Sequence, residues 1–447
     1  MNRETWFNND IPQGWEVTRL KNVIISVKNG IWGDEPLNNS DDIECVRIAD
    51  FDRKKNIVKD KEFTLRNIPK IQSENYLLKK GDLLIEKSGG GEKQPVGFVV
   101  QYNLDKKAVY ANFMAKIELN SQKVDSTFIN YVFSSLYAVK ANLKAFNQTT
   151  GIQNLNTSVY LNEVFMYPSL NVQKNIVNFL NKKIQAIDET INKKQKMVEL
   201  LEQQRQSIIT EAVTKGLNPN VKMKDSGVEW IGEIPEHWEV KKVKHFAIHV
   251  GSGKTPSGGS EVYLDEGVPF LRSLNVHFDG IRLKDLAFIS EETNAEMKSS
   301  QVKPLDILLN ITGASIGRTA IVPKDFGRAN VNQHVCIIRL NQKKIYPYYF
   351  NMLMSSDVIN QQIWFLQNGS SREGLNFVQV KELTFAVPPT LNEQYEINDW
   401  TFNKQKAIFG VISTIKEQID KLKEYRQSLI YEAVTGKIDD VIWNLIK

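Results

Sequence analysis

Cysteine, long apolar runs and an excess of charge of one sign are all scarce in this chain of 447 residues. Its two cysteines, Cys45 and Cys336, lie in separate halves within apolar, strand-like runs, which predicts buried reduced thiols rather than a disulfide or a metal pair. No apolar run approaches the roughly 20 residues that span a membrane, and the N-terminus lacks the apolar core of a signal peptide. We therefore expect a soluble, cytoplasmic protein.

The net charge is only +5 and is spread over mixed signs, so it permits a nucleic-acid partner without indicating one. Motifs of catalytic sites are also missing. No NPPY- or DPPY-like tetrapeptide is present to hold a flipped adenine, so the chain does not look like an adenine methyltransferase. The five histidines show no metal-ligand spacing with cysteine or carboxylates. We expect no catalytic residue and no metal site.

One short string, GSGKT at 251–255, resembles the end of a phosphate-binding loop. Such a loop needs an earlier glycine where Ile248 stands, and a helix that propagates where Pro256 stands. The string therefore does not predict a nucleotide site, and no cofactor is expected on this chain.

The sequence repeats itself at long range. Residues 205–214, RQSIITEAVT, recur 221 residues later as RQSLIYEAVT with eight of ten positions identical. Upstream, IPQGWEVTRLKNV from Ile11 recurs 223 residues later as IPEHWEVKKVKHF from Ile234. Two near-equal offsets indicate a tandem duplication with the order globular half, long helix, globular half, long helix, and they predict a pseudo-two-fold molecule.

Each globular half contains short β-rich runs separated by clusters of Gly, Asn, Asp and Pro, with a helix expected near Phe128 and another near Tyr349. The predicted fold class is α+β, with two similar mixed, strand-rich domains held apart by two long helices. The predicted segments are a first domain at 1–170, a first helix at 171–216, a linker at 217–233, a second domain at 234–391, a second helix at 392–436 and a C-terminal tail at 437–447.

Both long helices carry a heptad pattern, in which apolar residues step by four and three along one seam. This period requires each helix to bury its seam against another helix. The other copy is the natural partner, in an antiparallel pair, and a coiled coil with another subunit is the alternative. The predicted seam consists of Leu180, Ile184, Ile187, Ile191, Val198 and Leu201 in the first helix and Ile408, Ile412, Ile415, Ile419, Leu422 and Leu429 in the second.

Within the heptad pattern, Arg205 and Arg426 occupy the same late seam position in the two helices.

The linker between the halves is rich in Gly, Pro and Asn. Trp230 and Trp238 are expected to pack it onto the second domain, with contact to a ligand as the alternative.

The run DSGVEWIGEIPEHWEVKKVK from Asp225, the two EAVT helix ends and the tandem layout together resemble the specificity subunit of type I restriction-modification systems. The resemblance covers essentially the whole chain, although the first copy begins MNRETWFNNDIPQGW and lacks the DSGVEWIGE lead-in.

The resemblance implies that each globular half is a target recognition domain, which reads one part of a split sequence in double-stranded DNA. It implies that the helices form the coiled coil that fixes the gap and binds two adenine-methylating modification subunits, joined by motor-nuclease restriction subunits. This chain would then be non-catalytic, with no membrane partner. S-adenosylmethionine, ATP and Mg²⁺ would belong to the partner subunits.

Polar, glycine-rich loops recur in both halves and are the candidate DNA-binding elements. Glycine lets backbone approach a phosphate closely, while Ser, Thr and Asn donate to it and Lys or Arg neutralises it. Bidentate groups read base edges, Arg toward guanine and Gln or Asn toward adenine. A solvated turn is the alternative for any single loop. The loops lie at 28–36, 86–97 and 146–156 in the first half and at 251–260, 310–319 and 367–376 in the second.

The residues predicted to contact DNA lie in these loops and beside them. In the first domain they are Lys28, Asn29, Lys87, Ser88, Lys93, Gln94, Gln148, Thr149, Thr150 and Gln153. In the second domain they are Lys254, Thr255, Arg272, Ser273, Asn275, Thr312, Ser315, Arg318, Gln333, Ser370, Ser371 and Arg372. The predicted base readers among them are Lys93, Gln94, Gln148, Gln153, Arg272, Asn275, Arg318, Gln333 and Arg372.

Arg47 and Arg272 occupy comparable places in the two halves, each after an apolar strand and before a polar turn. A pairing with a local carboxylate, such as Asp50 or Asp279, competes with a base or phosphate contact for these residues. For the whole chain, a coiled-coil scaffold with two protein-binding end domains is the competing function. It explains the helices and the repeat but not the similar basic, glycine-rich loops of both halves.

Overall fold

The computed structural model describes residues 6–7, 11–91, 94–149, 152–256, 258–367 and 374–438, and for residues 147–149 and 260 it describes the backbone only. Two compact units make up the chain: residues 1–194 with 417–447 form the first, and residues 195–416 form the second. Each unit contains one strand-rich domain and part of both long helices. No helix in the described part of the chain has the length and apolar character that crossing a membrane requires.

In the described part of the first domain, short strands are joined by the α-helices α1 Lys70–Ser73, α2 Ser126–Ala138 and α3 Thr157–Tyr160 and by short 3-10 turns. Its strands are β1 Glu16–Arg19, β2 Ile24–Asn29, β3 Asp42–Val46, β4 Phe51–Asp52, β5 Ile57–Val58, β6 Thr64–Asn67, β7 Leu83–Glu86, β8 Ser88–Gly90, β9 Val99–Gln101, β10 Ala108–Tyr110, β11 Met114–Leu119, β12 Phe146–Thr149, β13 Ile152–Leu155 and β14 Val164–Tyr167. The long helix α4, Leu170–Lys215, follows.

The second domain repeats this composition, with helices α5 Glu291–Glu296, α6 Pro347–Met354, α7 Asp357–Gln367 and α8 Phe377–Glu382. Its strands are β15 Met223–Asp225, β16 Glu233–Pro235, β17 Glu239–Lys242, β18 Ala247–Ser252, β19 Val268–Leu271, β20 Val276–His277, β21 Gly280–Ile281, β22 Ala287–Ile289, β23 Ile307–Asn310, β24 Thr319–Ile321, β25 Asn330–Val331, β26 Val335–Leu340 and β27 Thr384–Val387. The second long helix, α9, is Leu391–Val434.

The duplication is visible in the sheets. The order β2-β11-β7-β9 in the first domain corresponds strand for strand to β18-β26-β23-β24 in the second. A three-stranded sheet recurs as β10-β3-β6 and β25-β19-β22, each with one parallel and one antiparallel pair. A two-stranded pair recurs as β1-β14 and β17-β27. The structure confirms the predicted α+β class with two similar strand-rich domains.

Helix α2 shows how sequence sets this packing. Asp125 precedes the helix, and its carboxylate accepts the backbone N–H groups of Thr127 and Phe128, which would otherwise lack a partner. All residues from Phe128 to Phe133 are buried, together with Ser135 and Leu136, so the helix lies inside the domain on more than one face. The predicted helix near Phe128 is therefore confirmed, and its counterpart near Tyr349 is α6.

The long helices have 46 and 44 residues, and they pack on each other in antiparallel fashion within each unit. In the first unit, Arg426 Nε donates to Asp188 Oδ1 at 3.1 Å, and Lys194 Nζ donates to Gln418 Oε1 at 2.6 Å. In the second unit, Arg205 Nη1 donates to Gln405 Oε1 at 3.4 Å. Low residue numbers in one helix thus meet high residue numbers in the other, as an antiparallel pair requires.

Burial along the helices follows the predicted seam. Eight of the twelve seam residues are buried and four are half-buried, and three of those four lie in the second unit. The half-buried residues are Val198, Leu201, Ile408 and Leu422. The seam is therefore packed more loosely in the second unit, where Arg205 lies buried among it.

The repeated tryptophans anchor the helix ends within their units. Trp238 is fully buried and its Nε1 donates to Glu393 Oε1 at 2.8 Å, which confirms its predicted packing role. Gly216 and Gly436, just past the two long helices, have φ values of +71° and +65°. A Cβ at Gly216 would lie 3.2 Å from the Trp238 ring, and one at Gly436 would lie 3.3 Å from the Trp15 ring. Each unit thus uses the same junction of helix end and tryptophan.

The other sequence predictions about packing also hold. Trp230 lies beside Phe365 of α7, with ring centroids 5.9 Å apart, so it packs the linker onto the second domain. Cys45 and Cys336 are buried free thiols, and burial raises the pKa of each to about 12.

Candidate nucleic-acid interface

Hydrogen bonds bring several of the predicted DNA contacts of the first domain together. Lys87 Nζ donates to Asn29 Oδ1, and Ser88 Oγ donates to Asn154 Oδ1 at 2.6 Å. The backbone N–H groups of Lys87 and Ser88 both donate to Phe113 O, at 2.9 and 3.1 Å. The ends of β2 and β7, the β10–β11 turn and the β13 edge therefore form one loop face, which we name the first loop face.

Two further predictions for the first domain, Gln94 and Lys28, have different outcomes. Gln94 is exposed on a tight turn where it pairs with Gly91, so it is available at the surface. Lys28 lies next to Asn29 on β2 and therefore faces the other side of the strand. Its Nζ donates to Asn75 O at 2.8 Å and lies 4.4 Å from the Tyr76 ring centroid, so Lys28 does not join the first loop face.

Gln153 requires a correction. Its side chain is buried, with 3% exposed, and its Oε1 accepts the N–H of Val96 at 3.3 Å. The carboxamide satisfies a backbone donor inside the domain and does not reach a base, so it is a structural residue. Gln148 and Thr149 lie on β12, where the backbone alone is described, and Lys93 and Thr150 lie outside the described residues.

An apolar pocket of about 280 Å³ opens beside the first loop face. Trp32, Ile48, Ala49 and Phe113 line it, with Arg47 and Asn112 beside them, and Phe113 is 52% exposed. Alanine and phenylalanine side chains are the kind that contact the methyl group of thymine in the major groove. The pocket therefore offers an apolar contact next to polar groups.

The second domain has a corresponding polar cluster, which we name the second loop face. Thr312 Oγ1 lies 2.6 Å from His334 Nδ1, and Gln333 Nε2 lies 3.0 Å from His334 Nε2. Asn310 Nδ2 donates to Ser273 O at 2.8 Å and to Ser315 Oγ at 3.1 Å, which joins two more predicted residues. Lys254 and Thr255 are exposed on the loop after β18. In that loop the N–H of Gly253 donates to Asn332 O at 3.1 Å.

Asn275 requires the same correction as Gln153. It is fully buried, its Oδ1 accepts the N–H of Arg272 at 3.0 Å, and its Nδ2 donates to Arg282 O at 2.9 Å. An amide engaged on both sides by backbone holds the local turn and cannot read a base. Ser370, Ser371 and Arg372 lie outside the described residues.

Arg47 and Arg272 are equivalent in the two folds, as their sequence context predicts. Each arginine precedes a short 3-10 turn. The side chain of the third residue of that turn, Asp50 or Asn275, accepts a hydrogen bond from the backbone N–H of the arginine. Arg47 Nε lies 3.9 Å from Asp50 Oδ2, so a loose local ion pair exists there.

Arg272 differs from Arg47 in its partner. Its Nη2 donates to the backbone oxygen of Asp285 at 2.6 Å, and its guanidinium lies 5.7 Å from the Tyr263 ring centroid. The proposed pairing of Arg272 with Asp279 is wrong, because Asp279 accepts from Arg282 Nη2 at 2.9 Å.

Arg318 adjoins the second loop face through its backbone, which is hydrogen-bonded to Asn310 and Ser315. Arg318 also lines a cleft together with Arg205 of α4 and Lys416 of α9. Sequence reasoning did not select Asn154, His334, Phe113 or Lys416. Asn154 and His334 could have been predicted from the sequence, because both lie beside predicted residues in polar loops. Lys416 carries no such signal, since its position in the second unit depends on how the long helices pack. Among the described residues, no group of three or more His, Cys, Asp and Glu side chains is placed to hold a metal ion.

In the comparison with known proteins, the same family model matches both halves of the chain. A family model described as "Type I restriction modification DNA specificity domain" matches residues 12–200 and 235–427. The MjaVIII specificity subunit of a type I restriction enzyme from Methanocaldococcus jannaschii is 24% identical over 96% of this chain and 94% of its own length. The EcoBI specificity subunit from Escherichia coli is 25% identical over 73% of this chain and 68% of its own length.

Among solved structures, a chain from a study of complex assembly and conformational transition of the type I R-M system has a TM-score of 0.69. It is 15% identical, and the match covers 96% of this chain and 100% of that chain, so the likeness is one of fold. Since the family model matches both halves and most of the chain, this protein belongs to the family of type I restriction-modification DNA specificity subunits.

Proposed function

We propose that this specificity subunit reads a split DNA target with a fixed gap and directs adenine-N6 methylation and restriction by partner subunits. The main support is that two domains with the same strand order each carry a polar loop face. Polar side chains on loops of a rigid sheet can approach base edges, and phosphate contacts beside them set the register. Two such faces in one chain match two half-sites.

The two loop faces use different side chains, which supports two different half-sites. The first combines Asn29, Lys87 and Ser88 with an apolar pocket. The second combines Thr312, Gln333 and Ser315 with a histidine. Because hydrogen-bond donors and apolar contacts select different base edges, equal half-sites are not expected.

In this proposal, catalysis belongs to the partners. Two modification subunits bind the long helices and methylate adenine, and restriction subunits supply the motor and the nuclease. S-adenosylmethionine, ATP and Mg²⁺ bind to those subunits, and the complex acts in the cytoplasm. The proposal extends the family assignment, since the relatives named above are specificity subunits of type I restriction enzymes.

Methylome sequencing of the host with and without this chain tests the proposal. We expect a split adenine-methylated motif to disappear when the chain is deleted and to return when it is restored. An unchanged methylome in a host that expresses the chain and its modification subunits would contradict the proposed role.

DNA binding by the purified complex at several salt concentrations distinguishes a DNA-reading subunit from a protein-binding scaffold. A DNA reader loses affinity steeply with salt because counterions are released when phosphates are contacted. A scaffold with protein-binding end domains predicts no such salt dependence.

A further inference from the structure

A cleft of about 430 Å³ lies within the second unit, and among the predicted DNA contacts only Arg318 lines it. The long helices contribute Arg205, Phe409 and Lys416 to its lining, and the second domain contributes His277, Arg282 and Arg318. Four of these six side chains are cationic at neutral pH. Two carboxylates, from Glu202 and Asp279, complete the charged groups of the lining.

Those carboxylates each engage one cation. Arg205 Nε lies 3.1 Å from Glu202 Oε2, and Arg282 Nη2 lies 2.9 Å from Asp279 Oδ2. Among the described residues, no carboxylate oxygen lies within 4.0 Å of the charged nitrogen atoms of Arg318 or Lys416. Two uncompensated positive charges therefore face one concave site, which favours an anion there.

Arg205 adds a fixed positive charge at the helix side of the cleft. Its side chain is 9% exposed, and its guanidinium lies over the Phe409 ring at 5.4 Å from the centroid. A buried cation is costly unless it is paired, and hydrogen bonds to Glu202 and Gln405 hold it in one orientation. The helix pair therefore presents a preorganised guanidinium that does not have to be ordered when an anion binds.

The first unit does not carry the same charge. Arg426, which corresponds to Arg205 in the repeat, donates to Asp188 across the helix pair. At the position that corresponds to Asp188, the second unit has Phe409, which is uncharged. Gln195 corresponds likewise to Lys416. The second unit therefore lacks the cross-helix carboxylate of the first unit, and its cleft contains a lysine where the repeat has a glutamine.

We propose that this cleft binds one phosphate group of the DNA backbone, with Arg318 and Lys416 as its contacts and Arg205 as a positioning charge. The inference rests on the proposed DNA-reading function. A guanidinium binds two phosphate oxygens through its fork, and a lysine adds a point charge. Arg318 then fixes the register of the second domain on DNA without reading a base, and Lys416 extends the DNA contact to a coiled-coil helix.

The test uses the full chain in its complex with the modification subunits. Arg318→Gln, Lys416→Gln and the double variant are compared with wild type on cognate and random duplexes over a range of salt concentrations. One neutralised phosphate contributes about 0.9 to the slope of log affinity against log salt. We expect the double variant to lower the slope by about 0.9, with the same fold-loss of affinity on both duplexes.

Arg328→Gln is the matched control, because it removes the same charge from the second domain at an arginine that pairs with Glu291 outside the cleft. We expect it to leave the slope unchanged. A loss confined to cognate DNA would overturn the inference by making Arg318 a base reader, and an unchanged slope in the double variant would overturn it outright. Melting temperatures equal to wild type confirm that the variants are folded.

Inorganic phosphate separates this inference from the proposed function. If wild type shows no salt-dependent DNA binding, the proposed function itself fails. A rise in melting temperature with inorganic phosphate that the double variant loses, without any effect of the variant on DNA binding, would assign the cleft to a free anion and overturn its assignment to DNA.

Discussion

The two units share a skeleton and differ in their surfaces. Both use the same strand order, the same arginine before a 3-10 turn and the same junction of helix end and tryptophan. They differ in the loop faces and in the helix seam, where an arginine meets Asp188 in one unit and Phe409 in the other. The helix-end junction therefore has the same residues in both units, while the loop faces and part of the helix seam have different ones.

Removing the shared tryptophan tests the skeleton and has the largest expected effect. Trp238→Ala deletes a fully buried ring and leaves the carboxylate of Glu393 without the indole N–H that it accepts. We expect a loss of about 3 to 5 kcal/mol in the free energy of unfolding, and a comparable loss for Trp15→Ala. Chemical denaturation measures both. Trp364→Ala, at a side chain that is 71% exposed, is the control and should change stability by less than about 0.5 kcal/mol.

Two equivalent aspartates, Asp306 and Asp82, test how far the ion pairs inside the two domains differ in their contribution to stability. Asp306 has a side chain that is 1% exposed and forms two hydrogen bonds to Arg339, at 2.7 and 2.8 Å. Its counterpart Asp82 lies 3.4 Å from Lys116 and is 21% exposed. We expect Asp306→Asn to cost about 3 kcal/mol because it leaves a partly buried guanidinium unpaired, and Asp82→Asn to cost about 1 kcal/mol. Equal losses in urea denaturation would contradict this difference.

Substitutions in one loop face should weaken binding to one half-site and not to the other. The double change Asn29→Ala with Lys87→Ala should weaken binding to cognate DNA by about 1 to 3 kcal/mol. The loss should vanish on a duplex whose first half-site is scrambled, and Gln333→Ala should show the same behaviour for the other half-site. Fluorescence anisotropy with three duplexes measures this. Lys28→Ala is the control, since Lys28 faces away from the first loop face and should have little effect.

The two cysteines should behave alike, which gives the smallest expected difference between the units. Burial raises the pKa of Cys45 and of Cys336 to about 12, so almost no thiolate exists in the folded protein at pH 8. We expect a thiol reagent to label neither residue until denaturant is added. Rapid labelling of one thiol in the folded protein would show that its domain opens more readily.

Sequence predicted the features that depend on periodicity and repetition. Heptad spacing identified the buried seam, short continuous apolar runs identified strands such as β7 and β23, and repeated motifs identified two domains. The tryptophans were interpreted correctly because a buried ring with one polar atom has few alternatives. These features need only local pattern and hydrophobic burial.

Loop side chains were less predictable, for physical reasons. Gln153 and Asn275 are polar and lie in glycine-rich or turn segments, yet both are buried because backbone donors inside the fold need acceptors. Lys28 and Asn29 are consecutive on β2, so their side chains lie on opposite sides of the strand. The packing of the long helices places Lys416 in the same cleft as Arg318. None of these outcomes is encoded in the residue type alone, since each depends on the position of a distant backbone segment.

We propose that the paired helices set the distance between the two DNA-reading domains, and one deletion tests this directly. Removing residues 187–193 and 421–427 takes one heptad from each helix, and it removes Asp188 and Arg426 together so that neither is left unpaired. Seven residues shorten a helix by about 10 Å, which is about three base pairs. Methylome sequencing should then report the same two half-sites with a gap shorter by about three base pairs. An unchanged gap in a stable, methylating complex would contradict the account.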